Sequence, residues 1–196
     1  MPLKALVMAI WSAMHPMAPS LPDAHEIADA IVIAVSQDAA PPVFGSREED
    51  AAVMAYYALR ESWLRKHVVG DGGRSFGVWQ ENSRTGRADV VTQARAWLVL
   101  LHEGARICPA NPAAPLSGGC QAAARLAARR VTKALELLEL AKRTLAAADA
   151  SEPLVPARAV TSFPQTGRRA IASTDPVRSR RAAICNQPIS LQQPIN

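Results

Sequence analysis

Apolar positions recur at helical intervals through most of the first 150 residues, and the intervals break where proline and glycine cluster. After Pro22, Asp23 is placed to cap a run to about Ser36, with Ile27, Ile31, Ala34 and Val35 on one face. Gln37 to Gly45, with Pro41-Pro42, reads as a loop. Ser46 followed by Glu49 forms a capping box and predicts a helix from about Arg47 to Leu64. Its apolar stripe runs Val53, Met54, Tyr57 and Ala58, then Glu61 and Leu64. A further helix is predicted from Asp89 to about Ala105, facing inward through Val90, Ala94, Trp97, Leu98 and Leu101. The longest pattern, Gln121 to about Ala148, carries the stripe Leu126, Val131, Leu135, Leu138 and Leu145. It sets Arg129, Arg130, Lys133, Glu136 and Lys142 toward water.

The ends are different. Lys4 precedes a mostly apolar run, Ala5 to Met14, which fits either a short signal-peptide core or a first amphipathic helix. From Ser151 onward six prolines appear without a sustained period, which predicts disorder. The organisation is therefore an N-terminal segment 1–21, a body 22–150 and a tail 151–196. No run reaches the roughly eighteen apolar residues of a membrane-spanning helix.

Composition supports a mainly α body: hydrophobic residues make up 49% and aromatics only 5%, so the helices must pack through alanine and aliphatic side chains. The net charge of +5 is concentrated in the tail, where six arginines face only Glu152 and Asp175. Such a tail would be drawn to a polyanion or a larger assembly, or would serve as a solvated linker. Cys108 and Cys120 bracket a loop rich in proline and glycine with no histidine or CxxC partner nearby. They read as a disulfide rather than a metal site, with two reduced thiols as the alternative.

The chemistry-bearing stretch lies between residues 58 and 82. Glu61 shares the stripe that should pack inward, where an unpartnered carboxylate is costly and is kept protonated by its apolar setting. The alternative is that the helix ends nearby and Glu61 points into solvent. A glycine-rich loop, Gly70 to Gly77, follows. It lacks the GK[ST] of a phosphate loop, and no strand signal precedes it in a βαβ setting.

The run Glu61-Ser62, a spacer, then GDGGRSFGVWQ resembles the active-site region of the lysozyme-like superfamily, nearest to goose-type lysozymes and soluble lytic transglycosylases. The resemblance implies a lysozyme-like helical domain with a glycine-rich active-site loop. It implies cleavage of the glycan strands of peptidoglycan, with Glu61 as the general acid and no cofactor or metal. It also implies that Ser75, Gly77 and Gln80 shape the sugar cleft, that Ser62 is structural or contacts substrate, and that Asp71 holds the attacking water; Trp79 could stack on a sugar ring. Trp79 could equally be core. An inverting hydrolase needs a second carboxylate about 6.5–9.5 Å from the acid, for which Asp71 is the first candidate and Glu81 the second. A transglycosylase needs none. Asn82 stands where the goose-type pattern has another aspartate, and the later tyrosine motif of the transglycosylases is absent. These departures motivate a second expectation, a lysozyme-like adaptor without turnover in a secretion or phage-like assembly. The implied location is periplasmic or extracellular. His67 reads as a surface residue that could touch substrate, and His102 as a structural histidine.

Overall fold

The computed structural model describes residues 1–81 and 84–151, all within the unit Met1–Leu154. Expectations for Asn82 and for the tail beyond Ser151 lie outside the described residues. The elements are helices Leu3–Met14 (α1), Ala24–Gln37 (α2), Arg47–Ser62 (α3), Val90–Ile107 (α4) and Ala124–Ser151 (α5), with strands Val69–Gly70 (β1) and Ser75–Phe76 (β2) between α3 and α4. The fold is mainly helical. Among the described residues no helix is long and apolar enough to cross a membrane.

Helix α3 starts where the capping box predicts. Ser46 Oγ accepts from the Glu49 amide at 3.2 Å and donates to the Glu49 carboxylate at 3.1 Å. Glu48, Glu49 and Asp50 place negative charge at the positive end of the helix dipole. The helix lies among α1, α2 and α5. Ala51, Ala52, Val53, Met54, Ala55 and Ala58 are all fully buried along it, and these mostly small side chains permit close approach. Two indoles grip its backbone: Trp11 donates to the Ala55 carbonyl at 2.8 Å and Trp79 to the Met54 carbonyl at 3.0 Å.

Two expectations are corrected. Asp23 precedes α2, but its side chain does not cap that helix; it accepts from the Lys66 amide at 3.2 Å, tying the chain after α3 to the start of α2. In α5, Leu126 is exposed and the buried positions are Ala127, Ala134, Leu137, Leu138 and Ala141, with Val131 and Leu145 partly buried. The seam thus runs at heptad spacing through small alanines that a count of large apolar residues overlooks. Arg130, one turn from Ala127 and Ala134, is consequently turned inward. The glycine loop is carried on a two-stranded hairpin, not in a βαβ unit: β1 and β2 pair antiparallel, Val69 with Phe76 and Gly70 with Ser75.

Helix α1 belongs to the same core as the rest of the body, with Leu6, Val7, Ile10 and Trp11 all buried. Helix α4 begins at the Asp89 cap, which accepts from the Thr92 amide at 3.0 Å, and its predicted inward residues are all buried. Cys108 and Cys120 form a disulfide, with Cα atoms 5.7 Å apart, across the turn that leads to α5.

Candidate functional site

Glu61 occupies the last turn of α3. The next residues leave the helix abruptly, because Trp63 (φ 56°) and Leu64 (φ 53°) are both left-handed. Bulky side chains rarely adopt this conformation, and each costs roughly 1 kcal/mol or more. The break is held by Ser62, whose buried hydroxyl donates to the Ala58 carbonyl at 3.0 Å and accepts from the Arg65 amide at 3.3 Å. Leu64 is buried, whereas Trp63 is 52% exposed with the His15 ring edge-on to it at 5.3 Å.

The setting of Glu61 differs from the expected apolar one. Its side chain is 28% exposed, and Arg130 of α5 donates from Nη1 to Oε1 at 2.8 Å. The same guanidinium stands 5.2 Å from the centroid of the Tyr57 ring, one turn before Glu61. Tyr57 packs on Trp97 of α4 at 5.2 Å, and Trp97 stacks on Trp79 at 6.2 Å and 27°. A continuous series of contacts therefore joins Glu61 to the end of the glycine loop.

That loop is a four-residue hairpin turn. Gly70 accepts at its carbonyl from the Gly73 amide at 2.9 Å, and Asp71 (φ 49°) and Gly72 (φ 65°) are both left-handed. This is the backbone of a type I′ turn, for which Asp-Gly is a favoured pair. The Asp71 carboxylate accepts from Ser75 Oγ at 2.5 Å. Ser75 is buried, while Asp71, Gly72, Gly73 and Arg74 lie exposed. Gly77 (φ 76°) leaves no room for a side chain: a Cβ there would press on the Gln93 side chain and sit 2.5 Å from the Gly86 carbonyl. Gln93 is buried. Its Oε1 accepts from the Val78 amide at 2.8 Å and its Nε2 donates to the Ala88 carbonyl at 2.8 Å, clamping the loop onto α4.

Of the residues expected to shape a sugar cleft, several hold the loop together instead. Trp79 is buried with its N–H on Met54, so it belongs to the core rather than to a sugar face. Gln80 (φ 52°) donates to the Gly77 carbonyl at 2.9 Å and packs against Gly70. Ser62 holds the backbone at the end of α3, Ser75 bonds the Asp71 carboxylate, and Gly77 leaves the space taken by Gln93 and Gly86. Glu81 is buried, pairs with Phe76 through the backbone and accepts from Thr85 Oγ1 at 2.5 Å.

No protein-family model, no curated protein and no solved structure matches this chain. The site is therefore read from its own geometry.

Two adjoining hollows run along the hairpin. One, of about 440 Å³, includes His67, Val69, Phe76, Gly77 and Arg87 in its wall; the other, of about 640 Å³, is lined by Asp71, Gly73, Arg74 and Phe76. Glu61 lines neither. Arg130, Tyr57, Gln93 and Arg87 are the site-forming residues that sequence reasoning missed. Only Tyr57 carried a local signal, its position four residues before Glu61 on one helical face.

A separate hollow of about 300 Å³ lies between α2 and α4, with Asp38 and His102 in its wall. His102 Nε2 meets Asp38 Oδ2 at 2.7 Å, and Arg47 reaches the same carboxylate at 3.2 Å. Burial pushes Asp38 up. The bond to His102, with the Ala40 amide and Arg47, more than offsets this and leaves its carboxyl below the usual value. Asp50 is the opposite case: fully buried, it is raised by loss of solvent despite accepting from the Val43 and Phe44 amides. Among the described residues, no group of three or more His, Cys, Asp and Glu side chains gathers to hold a metal.

Proposed function

We propose that this chain cleaves the glycan strands of peptidoglycan, with Glu61 as the general acid. The observation that carries the reading is the placement of Glu61: a solvent-reachable carboxylate on the last turn of an otherwise buried helix, joined by packed side chains to a glycine hairpin that displays Asp71. The lysozyme-like resemblance of residues 58–82 assigns the same two carboxylates. Arginine is a donor only. Arg130 bonds Glu61 through Oε1, which leaves Oε2 to face the glycosidic oxygen; because a guanidinium favours the charged carboxylate, the acid role requires substrate to displace that contact. Asp71, exposed on its turn and steadied by Ser75, is the carboxylate available to orient an attacking water, with Glu81 second. If neither does so, the sugar's own 6-hydroxyl attacks and the product is a 1,6-anhydro sugar. This function would be exercised at the wall, outside the cytoplasmic membrane, where the Cys108–Cys120 disulfide would persist.

The test is loss of turbidity of purified cell walls with wild type and Glu61→Gln, followed by mass spectrometry of the released muropeptides. General acid catalysis contributes about 10²–10⁴-fold, and a loss of that size in Glu61→Gln is expected. Equal activity in both proteins removes the proposal, as does inactivity of the wild type on several wall types. Hydrolytic and anhydro products differ by one water.

A second reading rests on the ion pair. With Glu61 engaged by Arg130, and Ser62, Ser75, Gly77, Trp79 and Gln80 occupied in holding the loop, the domain would bind muropeptides as an adaptor without turnover. Binding without new reducing ends or anhydro products would favour it.

A further inference from the structure

The hairpin hollows have a chemistry of their own. Their floor is apolar, made by Phe76 and by Val69, which is 61% exposed. Their rim is cationic. Arg87 lays its guanidinium 3.9 Å from the Phe76 ring centroid and forms no ion pair with a carboxylate among the described residues. Arg74 spends its Nε on the Asp71 backbone carbonyl at 3.2 Å and likewise has no carboxylate partner among them. His67 stands on the same wall as Arg87. The one carboxylate among the described residues lining the trough, Asp71, lies beside Arg74 and is bonded to Ser75.

A guanidinium held over an aromatic ring is pre-organised. It keeps its N–H edges for a carboxylate, which it can grip through two parallel hydrogen bonds. The same placement argues against a neutral sugar as the occupant. The Phe76 face on which a pyranose would lie is covered by Arg87, and an uncharged ring would leave the cation unanswered. Exposed Val69 adds a surface for a small apolar side chain, and the volume falls in the range of small-ligand sites. Asp71 disfavours a polyanion along the whole length of the trough.

We infer that the trough over the β1–β2 hairpin binds a short carboxylate-bearing peptide, with Arg87 as its carboxylate receptor. The source named here is the peptide stem of peptidoglycan, which rests on the function proposed above; binding itself does not require Glu61. One part of the domain would thus hold the stem while Glu61 addresses the glycan.

The experiment titrates full-length Glu61→Gln protein by calorimetry with the tripeptide L-Ala-γ-D-Glu-L-Lys, with the same peptide amidated at its carboxylates, and with inorganic phosphate. Saturable binding of the free tripeptide is expected, weakened about tenfold or more by amidation and by Arg87→Met, as befits one charge-assisted contact. Arg87→Lys, which keeps the charge without the fork, should fall between. Arg87 is exposed, so unchanged helical circular dichroism is expected in both variants. The inference is overturned if the tripeptide does not bind, if Arg87→Met binds it as well as the parent, or if phosphate binds as tightly as the peptide. Wall cleavage by wild type without tripeptide binding would sink this inference alone. Tripeptide binding by a wall-inert wild type would sink the cleavage reading alone.

Discussion

Glu61 and Arg130, 69 positions apart in sequence, meet at 2.8 Å across the α3–α5 interface, with Tyr57 under the guanidinium. The pair is open to water, at 28% and 23% side-chain exposure, so its Coulomb energy is screened. A double-mutant cycle with Glu61→Gln and Arg130→Met, read from urea unfolding, should give a coupling below about 1 kcal/mol. A coupling of several kcal/mol would mean that the pair is far drier than its exposure indicates. Stability and catalysis should therefore separate, with Glu61→Gln folding like wild type.

Gln93 should matter far more to the fold than its surface charge neighbours do. Gln93→Leu leaves the Val78 amide and the Ala88 carbonyl without their buried partner, a loss of about 2–3 kcal/mol. Gly77→Ala should cost a similar amount, because a Cβ meets Gln93 and the Gly86 carbonyl at a left-handed φ. Thermal unfolding of both variants checks this. Wild-type stability in either would show that the loop is not clamped as described.

The disulfide closes a loop with a sequence separation of 12. Replacing both Cys108 and Cys120 by alanine should lower unfolding free energy by about 3 kcal/mol in the chain-entropy account. Reductant should reproduce most of the shift in wild type and none in the double variant. Equal urea midpoints with and without reductant would contradict it.

Asp38, partly buried, and Asp50, fully buried, should give opposite pH slopes. Asp38 lies below its ordinary value of 3.8 when folded, so between that lowered value and 3.8 the unfolded chain binds more protons. Its contribution is fully present above that window and is lost as pH falls through the folded value. Asp38→Asn should therefore destabilise at neutral pH and converge on wild type in acid. Asp50 is raised above 3.8, so its carboxyl favours the folded state below 3.8, and that stability is lost as pH rises through the raised value. Asp50→Asn should remove that decline. Urea midpoints from pH 3 to 7 distinguish the two, and parallel curves for both variants would contradict the assignment.

The helices were legible where sequence carries its own boundary chemistry. Ser46 and Asp89 cap α3 and α4 by accepting from the amide three residues on, as their spacing indicates. The phase of α5 was not, since its seam uses Ala127, Ala134 and Ala141, and alanine weighs little in an apolar pattern. The hairpin escaped notice because its strands hold two residues each, although Asp71-Gly72 is a recognised turn pair. At the candidate site, the position of Glu61 on the inward stripe could be read, but not its partner. Arg130 lies on a distant helix and looks like any other cation of a solvated face. Trp79 was ambiguous for a similar reason: an indole beside a polar loop suits a ligand or a core until its N–H is located.

The stacked indoles of Trp79 and Trp97 have a practical consequence. Two such chromophores held 6.2 Å apart couple their electronic transitions, so the loop carries a built-in optical gauge of its seating on the helices. Should the hairpin peel away before the bundle melts, the near-ultraviolet dichroism would fade while the helical bands persisted, and the order of those two events could be watched without any label.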